Sequence, residues 1–176
     1  MQKIYKKLPH IDTLEHYQFV TFRTQDSLDD YLRKIESFDL PNSKKQMHID
    51  SYLDTSDVGR YFEGEVLEYM RSYLLSLDGI SYELVSFSIM PNHIHILFYQ
   101  KQELSLILQR LKGATAKEIN KILKKTGKFW ASGYYDKAIR DEKHFEVVYN
   151  YIQNNPLKAG VGDEDVRYYS RYTDIV

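Results

Sequence analysis

The residues best suited to chemistry in this chain are His93 and His95, separated by Ile94 within Ser86–Phe98, SFSIMPNHIHILF. Side chains alternate across a β-strand, so the two imidazoles share one face while Ile94 and Ile96 share the other. Neutral imidazoles side by side make a ready bidentate metal site. A polar pair on the solvent face of an amphipathic strand has the same spacing, since His-x-His is a short pattern. Pro91, which has no N–H, belongs to the turn before the strand.

A second set of candidates lies in His144–Val161, HFEVVYNYIQNNPLKAGV. Phe145, Val148, Tyr149 and Ile152 follow i, i+3, i+4, i+7, the core stripe of an amphipathic helix. Tyr151 lies off that stripe, and Asn155 sits one turn further along on the same side. Tyr149 is therefore a packing residue, and Tyr151 presents its hydroxyl elsewhere. A buried tyrosine with a satisfied hydroxyl is the competing explanation. The chain has 16 tyrosines, so the presence of one proves nothing without its placement.

The elements that must position these groups follow from periodicity. After a polar lead-in over 1–15, His16–Arg23 reads as a first strand, with Tyr17, Phe19 and Thr21 on one face and Gln18, Val20 and Phe22 on the other. Asp26 or Ser27 could cap a short helix over Leu28–Phe38, with Leu28, Tyr31, Leu32 and Ile35 at helical spacing. Residues 39–56 are polar and broken by Pro41, and read as a long loop excursion. Asp57 then precedes a helix over Val58–Leu77, with Phe62, Val66, Tyr69, Met70, Tyr73, Leu74 and Leu77 apolar, ended by Asp78-Gly79.

Ser81–Ile89 and His93–Gln100 form a hairpin. Ser105–Lys125 is a second long helix, with Leu106, Ile107, Leu111, Ala114, Ile119, Ile122 and Leu123 inward, stopped by Gly127. Tyr134–Arg140 is a fourth strand. Glu142–Asn155 is a final helix, ended by Pro156. The first six elements match an α+β, ferredoxin-like split βαβ sandwich: an antiparallel sheet with helices, whose first and third strands are the central pair. The His pair then lies mid-sheet, and the final helix covers the face opposite the packed helices.

A length of 176 residues suits one domain with a sizeable core, and 43% hydrophobic with 28% charged residues is ordinary for a soluble globular protein. The absence of cysteine excludes disulfides and thiolate metal sites. No apolar run approaches membrane-spanning length and the N-terminus has no signal-type core, so a cytoplasmic location with no membrane partner is expected. A net charge of −1 argues against a general nucleic-acid coat protein, while leaving room for a local basic stripe.

MPNHIHILF, LKGATAKEINK, FWASGYYDKAIRDEKHF and YIQNNPLKAGV, in that order, together resemble the REP-associated tyrosine transposases. These belong to the HUH superfamily of single-strand DNA transposases and nucleases. The resemblance covers roughly 16–175 and implies a single HUH tyrosine transposase domain over 1–176, with a ferredoxin-like core. It further implies a divalent metal, Mg or Mn, on His93 and His95, and Tyr151 as the nucleophile. Asn155 falls where related enzymes place a polar metal ligand. Tyr149, Tyr134 and Tyr135 are the alternative tyrosines.

The chemistry so implied is attack by the Tyr151 phenolate on a metal-polarised phosphodiester. It gives a 5′-phosphotyrosine and a free 3′-hydroxyl, with a second 3′-hydroxyl resolving the intermediate. Activity is expected to fall below about pH 6 as the histidines protonate. The partner implied is hairpin-forming single-stranded DNA, bound by a monomer or homodimer. Arg110, Lys112, Lys117 and Lys121, with Lys124, Lys125 and Lys128, form a basic helix side that could track phosphates or simply be solvated. Arg140 and Lys143 flank the expected site as phosphate clamps. The excursion at 39–56 and the tail Asp163–Val176 are further places for specificity or dimer contacts. Two other readings stand beside this one: a catalytically idle nucleic-acid-binding protein, and a metal-dependent nuclease using water, which would tolerate Tyr151→Phe.

Overall fold

The β-rich first segment and the HIHILFYQ run find each other. β1 (Tyr17–Arg23) pairs antiparallel with β3 (His93–Gln100), placing Thr21 opposite His95 and Arg23 opposite His93. β2 (Tyr82–Ile89) flanks β3, and β4 (Tyr135–Ala138) flanks β1. β5 (Tyr168–Ser170) adds to the far side of β2. The result is a five-stranded antiparallel sheet in the order β4-β1-β3-β2-β5. The fold is α+β with the ferredoxin-like strand order, and β1 and β3 are its central strands. The computed structural model describes residues 16–27 and 30–172. The lead-in over 1–15, Leu28 and the last four residues of the tail lie outside them.

Alternation along the strands divides the core in two. Val20, Phe22, Ile94 and Ile96 face α3 (Gly64–Ser76) and α4 (Leu104–Leu123), meeting Val66, Met70, Ile107 and Leu111. Phe19, Val85 and Leu97 face the other way, onto Phe145, Val148, Tyr149 and Ile152 of α5 (Glu142–Ala159). His93 and His95 have the parity of Leu97, so they lie on the α5 face. A third, small cluster of Leu32, Ile35, Ile49 and Leu53 joins α1 (Asp30–Glu36) to α2 (Asn42–Thr55).

Several expectations are corrected. The polar excursion at 39–56 is mostly helix: Pro41 is the N-cap of α2, where a missing N–H costs nothing, rather than a break within a loop. The helix expected from Val58 starts at Gly64, because Val58–Glu63 runs irregularly and puts Phe62 into the core ahead of it. The cap expected from Asp26 or Ser27 is instead a 3-10 turn, Gln25–Ser27, in which Ser27 Oγ donates to the Thr24 carbonyl. Pro156 does not end α5, which continues to a left-handed Gly160 (φ 63°). Leu106 points outward, 52% exposed, and Leu108 takes the core position. The tail holds α6 (Glu164–Arg167), leading directly into β5.

Candidate active site

β3 delivers both imidazoles to the site fully buried, with ring centroids 4.8 Å apart. Each is held through Nδ1: His95 to Thr21 Oγ1 at 2.8 Å across the β1–β3 pair, His93 to Asn92 Oδ1 at 2.7 Å. Asn92 is fixed in turn, its amide nitrogen donating to the carbonyls of Leu53 at 3.0 Å and Val58 at 3.5 Å. His93 Nε2 and His95 Nε2 remain buried with no hydrogen-bond partner. Burial drives both imidazoles toward the neutral form, His93 to about 3 and His95 well below its ordinary value.

The third contributor is Asp50, which the sequence reading did not single out. Helix α2 turns Ile49 and Leu53 into the small apolar cluster and aligns Gln46, Asp50 and Asp54 at i, i+4, i+8 along a neighbouring face. Asp50 is 5% exposed, and burial raises its carboxyl to about 7. Gln46 Nε2 donates to Asp50 Oδ1 at 2.7 Å, and the Tyr151 hydroxyl donates to Oδ2 at 2.7 Å. One ligand-type atom from each of Asp50, His93 and His95 lies within 4.8 Å of the others. Asp54 Oδ1 stands 3.7 Å from His93 Nε2, and burial raises that carboxyl to about 6.

Two imidazoles and a carboxylate form a donor set suited to a divalent first-row metal or magnesium. The orphaned Nε2 atoms are the donors such an ion would engage, since both Nδ1 atoms are already spent. Thr21 and Asn92 play the orienting part that a metal-binding histidine needs at its second nitrogen. The fit is therefore good. Asp50 was hidden from sequence reasoning because it lies far from His93 along the chain. The Ile49–Leu53 apolar pair at helical spacing is the only hint of a helix there, too short to set α2 apart from a loop.

Tyr151 comes from the opposite wall, on α5, with its ring 5.2 Å from His95 and 6.1 Å from Phe19. It is 36% exposed, whereas Tyr149 is fully buried and spends its hydroxyl on Ser170 Oγ at 2.6 Å. Burial, and then the Asp50 charge and hydrogen bond, push the Tyr151 phenol above its ordinary value. Asn155 is buried beside that hydroxyl with its Nδ2 unpartnered, and favours the ionised phenol. Tyr135 lies on β4, with its ring centroid 6.3 Å from that of Phe19.

The basic residues divide by location. Lys143 is exposed in the first turn of α5, the helix that carries Tyr151, and Arg140 is exposed just before it. Arg110, Lys117 and Lys121 are exposed on α4, which packs on the sheet face away from the His pair. Lys112 donates to the carbonyls of Ala131 and Gly133, and burial lowers its ammonium to about 8. Lys125 is paired with Asp26 at 2.7 Å.

The profile of the IS200-like transposases matches residues 45–155, from within α2 through the Tyr151–Asn155 turn. The chain belongs to the IS200-like transposase family. The resemblance drawn from the four sequence blocks is thus borne out at the family level. An uncharacterised Haemophilus influenzae protein is 34% identical over 40% of this chain and 52% of its own, so the chain spans about half the length of that curated relative. Among solved structures, a REP-associated tyrosine transposase bound to a REP hairpin aligns at TM-score 0.48 and 14% identity, over 88% of this chain and 74% of its own. A crystal structure from Deinococcus radiodurans aligns at TM-score 0.37 and 15% identity, over 85% and 97%. No helix among the described residues of this IS200-like chain is long and apolar enough to cross a membrane.

Proposed function

We propose that this protein cleaves and rejoins hairpin-forming single-stranded DNA through a 5′-phosphotyrosine at Tyr151. The observation that carries the reading is the convergence of a hydrogen-bonded, partly exposed tyrosine with two histidines whose Nε2 atoms are buried and unpartnered. His93, His95 and Asp50 are assigned as the donors to Mg or Mn. Bound there, the divalent ion supplies Lewis-acid neutralisation of the scissile phosphate oxygens.

The chain's own residues supply the rest. Asp50 Oδ2 accepts the Tyr151 hydrogen and fixes the phenol oxygen beside the metal donors. A carboxylate oxygen has lone pairs for both tasks. The Tyr151 proton passes to Asp50 as the phenol oxygen attacks phosphorus. The P–O3′ bond breaks, and the leaving O3′ takes a proton from solvent water to become the 3′-hydroxyl. Reversal with an incoming 3′-hydroxyl rejoins DNA with no external energy source, because one phosphodiester replaces another. Asn155 is assigned to the phenol oxygen it lies beside. His93 and His95 are neutral at working pH and so ready to donate.

The test is covalent trapping with a labelled hairpin DNA from repeats flanking the gene. A denaturation-resistant adduct that needs Mn or Mg and disappears in Tyr151→Phe supports the reading. Cleavage that persists in Tyr151→Phe without an adduct replaces it with a water-using nuclease.

A further inference from the structure

Helix α2 brings Asp50 to the His pair, yet little apolar packing holds it there. Together with α1 it closes a cluster of only four buried residues, Leu32, Ile35, Ile49 and Leu53, separate from the two cores that flank the sheet. Toward the segment from Ala131 to Lys137 it borders a cleft of about 630 Å3 instead of packed side chains. Its fastenings to the rest of the chain are polar. Asn92 Nδ2 donates to the Leu53 carbonyl at 3.0 Å, and the Tyr151 hydroxyl reaches Asp50 at 2.7 Å. Arg23 of β1 pairs with the exposed Glu36 of α1 at 2.9 Å, a surface contact that holds little.

What α2 presents to the sheet is charge. Asp50 and Asp54 lie one turn apart on one face, and the charge of Asp54 works against that of Asp50. Asp50 takes its hydrogen bonds from neutral groups, Gln46 and Tyr151. Asp54 Oδ1 is buried with no hydrogen-bond partner, 3.7 Å from His93 Nε2. Facing them, His93 Nε2 and His95 Nε2 are buried and unpartnered as well. Two carboxylates and two imidazole nitrogens therefore meet across the seam between α2 and β3. Such a seam costs desolvation and like-charge repulsion by itself, and a cation turns it into a cross-link.

Building on the metal assignment made above, we infer that metal binding fastens the α1–α2 unit to the sheet, so that the local stability of this unit follows metal occupancy. An ion held by Asp50 from α2 and by His93 and His95 from β3 joins two elements that share few apolar contacts. Opening of α2 withdraws Asp50 from the ion, so the ion's preference for the docked form adds to the free energy of opening. The two larger cores need no such link, and their elements are indifferent to the metal. Because the Tyr151 hydroxyl rests on Asp50, the event that seats the metal also fixes the partner of the phenol.

The test is hydrogen exchange of the full chain, read by mass spectrometry after EDTA treatment, with and without added Mn. Calorimetry records Mn binding under the same conditions. An ion held only by the docked form slows exchange about 100-fold at a free concentration 100 times its Kd, and less where the His pair alone retains it. The expected result is a slowing of at least about tenfold in peptides from 30–55, with peptides from α4 changed by less than about twofold. Asp50→Asn, at Mn concentrations that saturate it, is expected to lose most of that slowing because its bond to the ion is gone. Mn bound by calorimetry with exchange over 30–55 unchanged, or slowed no more than in α4, overturns the coupling and leaves the metal assignment standing. Slowing that persists in full in Asp50→Asn overturns it too. No Mn binding by calorimetry rejects the metal assignment and the coupling with it.

Discussion

The Tyr151 hydroxyl donates a 2.7 Å hydrogen bond to Asp50 Oδ2, joining the proposed nucleophile to a carboxylate that also stands among the candidate metal donors. These residues come from α5 and α2, separate elements that meet beside the buried His pair. The bond keeps the phenol protonated while Asp50 is negative and uncompensated, because a nearby anion disfavours a phenolate. A metal held there and the proposed nucleophile would thus be coupled through one side chain.

Asp50→Asn removes the charge and keeps the shape. Mn affinity, measured by calorimetry on metal-free protein, is expected to fall tenfold or more. Asn155→Ala, in contrast, is expected to leave Mn affinity within about twofold while slowing adduct formation. An unchanged affinity in Asp50→Asn, with a loss in Asn155→Ala, would transfer the third ligand position to Asn155.

The pH dependence of metal binding is expected to come from Asp50 rather than from the histidines. His93, depressed to about 3, is already neutral above pH 5, so it imposes no proton competition there. Asp50, raised to about 7, carries a proton below that pH which the metal must displace. Mn affinity therefore falls as pH drops below about 7, approaching tenfold per pH unit, and the slope flattens in Asp50→Asn. A midpoint that stays near the ordinary histidine value of about 6.5 in both proteins would contradict this assignment. The expectation of a histidine-controlled loss below about pH 6 is shifted by burial.

Asn92→Ala removes the group that orients His93 and that pins the end of α2 through the Leu53 and Val58 carbonyls. Loss of such an orienting partner lowers metal affinity roughly 10–100-fold. The unpaired buried carbonyl also costs about 1–3 kcal/mol of stability in chemical denaturation.

Gly59 has φ of +71°, and a Cβ there would come 2.5 Å from Thr24 Oγ1 and 2.6 Å from the Ser27 backbone nitrogen. Gly59→Ala is expected to destabilise by about 1–3 kcal/mol, from a left-handed backbone and a contact with no room to relax. A melting temperature equal to wild type would show that the 24–27 turn yields freely.

Much of the fold could be seen in the chain because burial and period agree there. HYQFVTFR and HIHILFYQ alternate cleanly, so both strands, their faces and the placement of the His pair at the sheet centre were legible. Tyr151 was separable from Tyr149 because the α5 stripe is strictly periodic. Helix α2 was not legible: it buries only Ile49, Asp50 and Leu53, and its remaining residues are polar or exposed. A helix held by so small a cluster and by Asn92 looks like a loop in sequence. Pro156 misled for another reason, since tertiary packing of α5 outweighs the hydrogen bond that proline forgoes. Lys112 was grouped with the basic helix side that could track phosphates, yet the Ala131 and Gly133 carbonyls, 19 and 21 residues further along the chain, claim its ammonium.

In the proposed reaction it is Tyr151 that carries the DNA. Wild-type protein, reacted with flanked hairpin DNA and Mn, is digested with protease and nuclease and the modified peptide sequenced by mass spectrometry. The expected product carries a nucleotide phosphate on Tyr151 alone. Tyr149→Phe, which loses about 1 kcal/mol of stability with its Ser170 bond, is expected still to form the adduct. Modification of Tyr134, Tyr135 or Tyr149, or DNA cleaved with no modified tyrosine, would contradict it.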